Sequence, residues 1–198
     1  MTRALFLDRD GILDELVFYE SSGEWESPRR AADLRMIEGV REPLQRFADA
    51  GWLLFIVTNQ PSAAKGKTSL EELRDVHERV VASLGVPIAR SYQCFHHPDE
   101  GCTCRKPSPQ FLHEAAREYG VALSESWMVG DQDSDLACGR AAGCRVALIE
   151  HRGSEHKRGA IEPDLRAKDL TALANVILSR EDGEGSPPEI PRRLRGSE

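Results

Sequence analysis

Two aspartates, Asp8 and Asp10, directly follow the apolar run Ala4-Leu5-Phe6-Leu7 and precede Gly11. Such a run reads as a β-strand buried on both faces, and in open α/β sheets ligands bind beyond the carboxyl ends of the strands. Two carboxylates this close repel each other unless a cation or a shared proton intervenes. A bound Mg²⁺ would relieve the repulsion, with one aspartate free to attack an electrophile and the other to shuttle a proton. The plainer alternative for this segment alone is a strand that ends in a solvated acidic turn.

Other reactive side chains also stand where strands stop or helices start. Trp52-Leu53-Leu54-Phe55-Ile56-Val57 is a second buried strand and ends at Thr58-Asn59-Gln60. Arg105-Lys106-Pro107 precedes a helix, and Trp127-Met128-Val129-Gly130 leads into Asp131, with Asp135 four residues on. The carboxyl ends of parallel strands share one edge, so these groups are expected to converge there. Carboxylates, a hydroxyl, an amide and a lysine suit phosphoryl transfer. A cation and the lysine neutralise phosphate oxygens, polar donors orient them, and a carboxylate attacks.

The five cysteines form a second signal, because Cys94, Cys102 and Cys104 crowd together with His96 and His97. In a reducing compartment such clustering argues for metal over disulfides. Three thiolates and one imidazole make a closed tetrahedral zinc set with no position left for water, so the zinc would be structural. Cys104 is bonded directly to Arg105, so fixing its sulfur would fix the loop that aims Lys106. On spacing alone either histidine serves. Cys138 and Cys144 read as small packing residues, and His77 as a partly buried structural histidine.

The elements that must position these groups alternate. Residues 40–50 predict a helix with Leu44, Phe47 and Ala48 on one face, closed by Gly51. Residues 70–84 predict another, with Leu70, Leu73, Val80, Val81 and Leu84 on one side and capping-box spacing between Ser69 and Glu72. A short strand is expected over 91–95. A helix capped by Ser108-Pro109 follows, with Phe111, Leu112, Ala115, Ala116 and Tyr119 as its apolar stripe. Helix 136–142, strand 146–149 and a helix over about 170–178 complete the pattern, which predicts an α/β fold, a doubly wound Rossmann-like parallel sheet. The charged stretch 14–38 is too long for a simple connection and reads as a functional loop or flap, with Trp25, Arg29 and Arg30 as candidates for a pocket rim.

The 198 residues suit one domain, expected over 1–180, with 181–198 as a disordered Gly-, Pro- and charge-rich tail. A net charge of −7 without a basic stripe argues against a nucleic-acid partner. No segment approaches the roughly 20 apolar residues of a membrane span, and the N-terminus has no secretory pattern, so a cytoplasmic monomer is expected.

Asp8-x-Asp10, Thr58, Lys106 and Gly130-Asp131 with Asp135 resemble the motif set of the haloacid dehalogenase (HAD) superfamily of aspartate-nucleophile phosphatases over about residues 3–150. Asp8-Arg9-Asp10-Gly11, Thr58-Asn59-Gln60 and Cys104-Arg105-Lys106-Pro107 further resemble its histidinol-phosphatase-type subfamily. The resemblance implies a HAD-type fold with a minimal cap and a zinc-binding loop at 94–104. It also implies Mg²⁺-dependent hydrolysis of a small sugar-phosphate-like metabolite through an aspartyl-phosphate, with a heptose bisphosphate first and histidinol phosphate second.

By the same resemblance Asp8 is the nucleophile, Asp10 the general acid and then base, and Thr58 and Lys106 hold the phosphoryl group. Asn59, Gln60 and Arg105 bind substrate. Mg²⁺ sits on the Asp8 carboxylate, the Asp10 carbonyl and Asp131, with Asp135 in support. Zinc sits on Cys94, His96, Cys102 and Cys104. The chain departs from the subfamily at Ile12, at Lys65 where an arginine is usual, and at Gln132 where a lysine is. A rival of another class, a non-catalytic zinc-stabilised binding module, is disfavoured by the intact Asp8, Asp10, Lys106 and Asp131.

Overall fold

The apolar runs become the strands of one sheet. A computed structural model describes residues 2–179, so the expected tail at 181–198 lies outside the described residues. In chain order the elements are β1 (Ala4–Leu7), β2 (Val17–Tyr19), β3 (Glu24–Glu26), α1 (Arg41–Asp49), β4 (Leu53–Asn59), α2 (Leu70–Leu84) and β5 (Ile88–Cys94). They continue with α3 (Gln110–Tyr119), β6 (Trp127–Gly130), α4 (Asp133–Ala142), β7 (Arg145–Ile149), β8 (Leu165–Ala167) and α5 (Leu170–Ser179). No helix among the described residues is long and apolar enough to cross a membrane.

Six strands pair in the order β5-β4-β1-β6-β7-β8, all parallel. The chain winds from β1 out to β5, then returns to the other side of β1. That reversal opens a crevice beyond the carboxyl end of β1. Alternation along the strands divides the core in two. Leu5 and Leu7 pack with Leu44 and Phe47 of α1, Val80 of α2 and Leu173 of α5. Ala4 and Phe6 face Leu112 of α3 and Leu136 of α4, with Phe6 stacked on Phe55 at 5.1 Å.

Several boundaries differ from expectation for local reasons. β4 continues through Asn59, paired with Cys94 of β5, so Thr58 and Asn59 sit on the strand itself. α4 starts three residues early, because Gln132 and Asp135 cap each other reciprocally and place Asp135 in the first turn. Pro109, not Ser108, is the N-cap of α3, and it has no side-chain cap bond. Ser69 accepts from the Glu72 amide at 3.1 Å.

Leu70 is exposed, so the buried face of α2 is Leu73, Val76, His77, Val80 and Leu84. The stretch 14–38 holds an antiparallel hairpin, β2 on β3, with Phe18 opposite Trp25. β8 was not foreseen.

His77 is buried within reach of the Arg9 and Asp10 charges, and among the described residues neither ring nitrogen has a hydrogen-bond partner. Burial, together with the nearby Arg9 charge and against that of Asp10, holds its pKa down to about 4. The unfolded chain, titrating near 6.5, therefore binds the extra proton first as the pH falls. The stability that comes from keeping His77 neutral is complete above about pH 6.5 and lost progressively toward pH 4, by up to about 3 kcal/mol. Denaturant titrations of wild type and His77→Gln should show the wild type losing more stability across that window. Parallel curves would remove His77 from the acid response.

Candidate active site

The ends of β1, β4 and β6 bring Asp8, Asp10, Thr58 and Asp131 together. The loop after β5 delivers Lys106, and the first turn of α4 delivers Asp135. All six side chains are buried. The Lys106 ammonium lies 2.8 Å from Asp8 Oδ1 and 2.7 Å from Asp135 Oδ1, and donates to the Val57 carbonyl at 2.7 Å. The Arg9 amide donates to the same Asp8 oxygen at 2.7 Å.

Asp8, Asp131 and Asp135 each place a carboxylate oxygen within 4.8 Å of the others. Burial pushes Asp8 up to about 7 against the pull of Lys106, with the charges of Asp135 and Asp10 adding to the rise. Burial and the Asp8 charge push Asp131 up to about 6. Neither carboxylate oxygen of Asp131 has a hydrogen-bond partner among the described residues, although the residue is fully buried. A buried carboxylate without partners and beside a second one fits a hard divalent cation.

The backbone approaches these acids closely. A Cβ on Gly11 would stand 2.6 Å from Asp131 Oδ2, at a φ of +84°, and one on Gly130 would stand 2.2 Å from Asp135 Cβ. Glycine at both positions is what lets three carboxylates share the space.

The proton-transfer candidate is also held in place. Asp10 accepts from Arg9 Nη2 at 2.7 Å through one oxygen, and through the other from Gln60 Nε2 at 2.6 Å. Gln60 Nε2 also bonds Thr58 Oγ1 at 3.0 Å. Gln60 is fully buried and does not line the cavity above the site, and its side chain supports Asp10. Thr58 is likewise buried beneath that cavity.

Asn59 does line the cavity, but its amide is engaged. Nδ2 donates to the Lys106 carbonyl at 3.1 Å, and Oδ1 accepts the Lys106 amide at 3.0 Å. This two-point clamp on the backbone of Lys106 carries no signal in the sequence.

Ahead of Lys106, Cys94 at the end of β5 converges with His96, Cys102 and Cys104 of the loop that follows. Cys94 Sγ lies 3.6 Å from both His96 Nδ1 and Cys102 Sγ, and Cys104 Sγ lies 3.3 Å from His96 Nδ1 and 3.7 Å from Cys102 Sγ. Tetrahedral zinc with bonds of about 2.3 Å to sulfur and 2.0 Å to nitrogen holds its ligand atoms roughly 3.5–3.8 Å apart. Three of the four distances match that edge length, and the Cys104–His96 distance is slightly shorter. His97 is occupied elsewhere, its Nδ1 accepting the Asp99 amide at 3.3 Å.

A cavity of about 420 Å³ opens over Asp8, Asp10 and Lys106. Trp25 and Glu26 of the hairpin form one wall. Burial opposes the Glu26 charge, but hydrogen bonds from Lys67, Ser22 and Arg29 hold its pKa down to about 2. Lys67 (2.6 Å) and the Thr68 hydroxyl on the Arg29 carbonyl (2.7 Å) tie the hairpin to the loop after β4. Arg29 lies over the Tyr19 ring at 3.9 Å and Arg30 pairs with Asp33, so of the three rim candidates only Trp25 lines the cavity.

The loop after β7, unremarked in the sequence, supplies another part of the wall. Its Ser154 hydroxyl donates to the Asp131 carbonyl at 3.2 Å, and its His151 meets Glu15 at 2.8 Å.

Residues 103–173 match the family model described as HAD-hydrolase-like. The chain is 35% identical over 186 residues to a D-glycero-beta-D-manno-heptose-1,7-bisphosphate 7-phosphatase of Pseudomonas aeruginosa, across 90% of this chain and 99% of that one. It is 34% identical to a D-glycero-D-manno-heptose-1,7-bisphosphate 7-phosphatase of Thermosynechococcus vestitus, across 89% and 95%. Among solved structures it is similar to the D,D-heptose 1,7-bisphosphate phosphatase of Bordetella bronchiseptica complexed with magnesium and phosphate. The TM-score is 0.76 at 28% identity, over 90% of this chain and 99% of that one.

The quartet predicts about one tightly held zinc per chain. Cys102→Ser should lose the metal and lower turnover about a hundredfold, because about 1 Å of error at a catalytic group costs that much. The melting temperature should fall little, since the two cores do not include the loop from 96 to 104. Elemental analysis, melting curves and turnover on the same preparation test this. Zinc-free Cys102→Ser with wild-type turnover would reduce the quartet to a surface staple.

Proposed function

The chain belongs to the HAD-like hydrolases and, among them, to the D-glycero-D-manno-heptose-1,7-bisphosphate 7-phosphatase family, whose members are phosphoric monoester hydrolases, and on that premise we propose that it removes the 7-phosphate from this heptose bisphosphate. The observation that carries the reading is Asp8, poised at the cavity floor between Lys106 and the unpartnered Asp131 carboxylate.

In this reading Asp8 attacks the phosphorus of the 7-phosphate, and the bond to the sugar oxygen breaks. The departing oxygen takes a proton from Asp10, leaving an aspartyl-phosphate on Asp8. Water then attacks that phosphorus and gives its proton to Asp10, the acyl–phosphate bond breaks, and inorganic phosphate leaves with Asp8 restored. Lys106 neutralises the phosphoryl oxygens, and Arg105 at the cavity wall binds the rest of the substrate.

Asp8 and Asp131, with the Asp10 carbonyl, would hold Mg²⁺, and Asp135 would support it through Lys106. Bound there, Mg²⁺ neutralises charge on the transferring phosphoryl group. The unpartnered Asp131 and the magnesium in the Bordetella structure support this assignment. Zinc on Cys94, His96, Cys102 and Cys104 would be structural, holding the loop that carries Lys106; the tetrahedral edge lengths support it.

Phosphate release from heptose 1,7-bisphosphate, histidinol phosphate and nucleotides, with and without Mg²⁺, tests the proposal. The heptose should be the best substrate and the reaction should stop reversibly on chelation. Faster release from histidinol phosphate would overturn the substrate. Asp8→Asn should abolish turnover, because an amide cannot form the acyl phosphate, while Asp10→Asn should lower it by about 10²–10⁴-fold. Both variants should keep the wild-type circular dichroism. Near wild-type turnover in Asp8→Asn would remove the covalent route.

A further inference from the structure

Most basic side chains around the cavity are already engaged. Lys106 faces Asp8 and Asp135, Lys67 and Arg29 face Glu26, and Arg158 donates to the His151 carbonyl. Three that line the cavity differ. Lys65 and Lys157 make no ion pair or side-chain hydrogen bond among the described residues, and Arg105 has a buried Nη1 without a partner. They come from three loops. Lys65 follows β4 and Arg105 follows β5, on one side of β1, while Lys157 follows β7 on the other.

Lys157 is exposed, yet its loop is held on both sides. Before it, Ser154 bonds the Asp131 carbonyl at 3.2 Å, and Gly153 fits against Trp25 and Leu16, where a Cβ would meet each at 3.0 Å. After it, the amides of Gly159, Ala160 and Ile161 all donate to the Asp133 carboxylate, at 3.2, 2.9 and 3.2 Å. A flexible cation on a fixed loop facing two others across a cavity is suited to an anion that the reaction leaves intact.

We infer that Lys157 is a specificity-determining residue, binding with Lys65 and Arg105 the second phosphate of a bisphosphate whose first phosphate lies on Asp8. The inference deepens the proposed function and rests on it for the heptose alone. The loop after β7 thereby selects bisphosphates over monophosphates, by binding and not by chemistry.

The test compares kcat/KM on bisphosphate and monophosphate in two pairs, heptose 1,7-bisphosphate with heptose 7-phosphate, and fructose 1,6-bisphosphate with fructose 6-phosphate. Wild type should prefer the bisphosphate, and Lys157→Met should lower that preference about tenfold through KM, with kcat nearly unchanged. Lys157→Arg should restore it, and added salt should weaken it in the wild type. An unchanged preference in Lys157→Met, or a loss that falls on kcat and on both members of a pair alike, would overturn the inference. A Lys157-dependent preference seen only with the fructose pair would support the subsite and overturn the heptose substrate.

Discussion

Repulsion among buried carboxylates is the constraint around which the site is built. Asp8, Asp10, Asp131 and Asp135 lie together almost without solvent, and the buried cations that reach them are Lys106 and Arg9. Burying charge is costly unless it is matched, so the position of each cation bears on every acid around it. Lys106 bridges two of the acids and Arg9 holds a third, but the carboxylate of Asp131 has no hydrogen bond among the described residues. The imbalance is where a divalent metal fits, and it concentrates negative potential at the point where a phosphoryl group has to be received.

The single lysine must therefore be placed well, and two unrelated tethers do so. Asn59 grips its backbone from the end of β4, while the Cys/His quartet closes the loop that precedes it. One tether is a pair of hydrogen bonds to the central sheet. The other is a cluster of three thiols and an imidazole in a segment with little apolar core of its own. Gln60 and Arg9 do the equivalent for Asp10, each taking one of its oxygens. Positioning here is mostly the work of residues next in sequence to the reactive ones: Arg9 lies between Asp8 and Asp10, and Asn59 and Gln60 follow Thr58.

Much of this was legible in the chain because the chemistry sits on strands. A buried parallel strand advertises itself as an apolar run, so the carboxyl ends of β1, β4 and β6 and the acids beyond them could be located. Cysteine clustering advertised the convergence of the Cys/His quartet equally well. The hairpin β2–β3 and the strand β8 did not stand out, because each strand has three residues and half-exposed or polar positions such as Glu24, Trp25 and Glu26. The bonds of Gln60 to Asp10 and Thr58 were hidden for a related reason. Its neighbours Thr58 and Asn59 lie on the strand, and alternation and the turn at its end aim side chains in directions that residue type alone does not reveal. The contribution of the loop after β7 depends on the order of strands in the sheet, which no local pattern encodes.

That loop has a consequence for how the protein can change over generations. Its fastenings, Ser154 to the Asp131 carbonyl and the 159–161 amides to Asp133, engage the main chain of Asp131 and the carboxylate of Asp133. Between them Glu155, His156 and Lys157 are exposed. Replacing these three alters the rim of the cavity without disturbing either fastening or the acids below. The fold thus separates the part that must stay constant for catalysis from a short stretch free to drift, so that a descendant enzyme can acquire a different substrate while inheriting the same reaction.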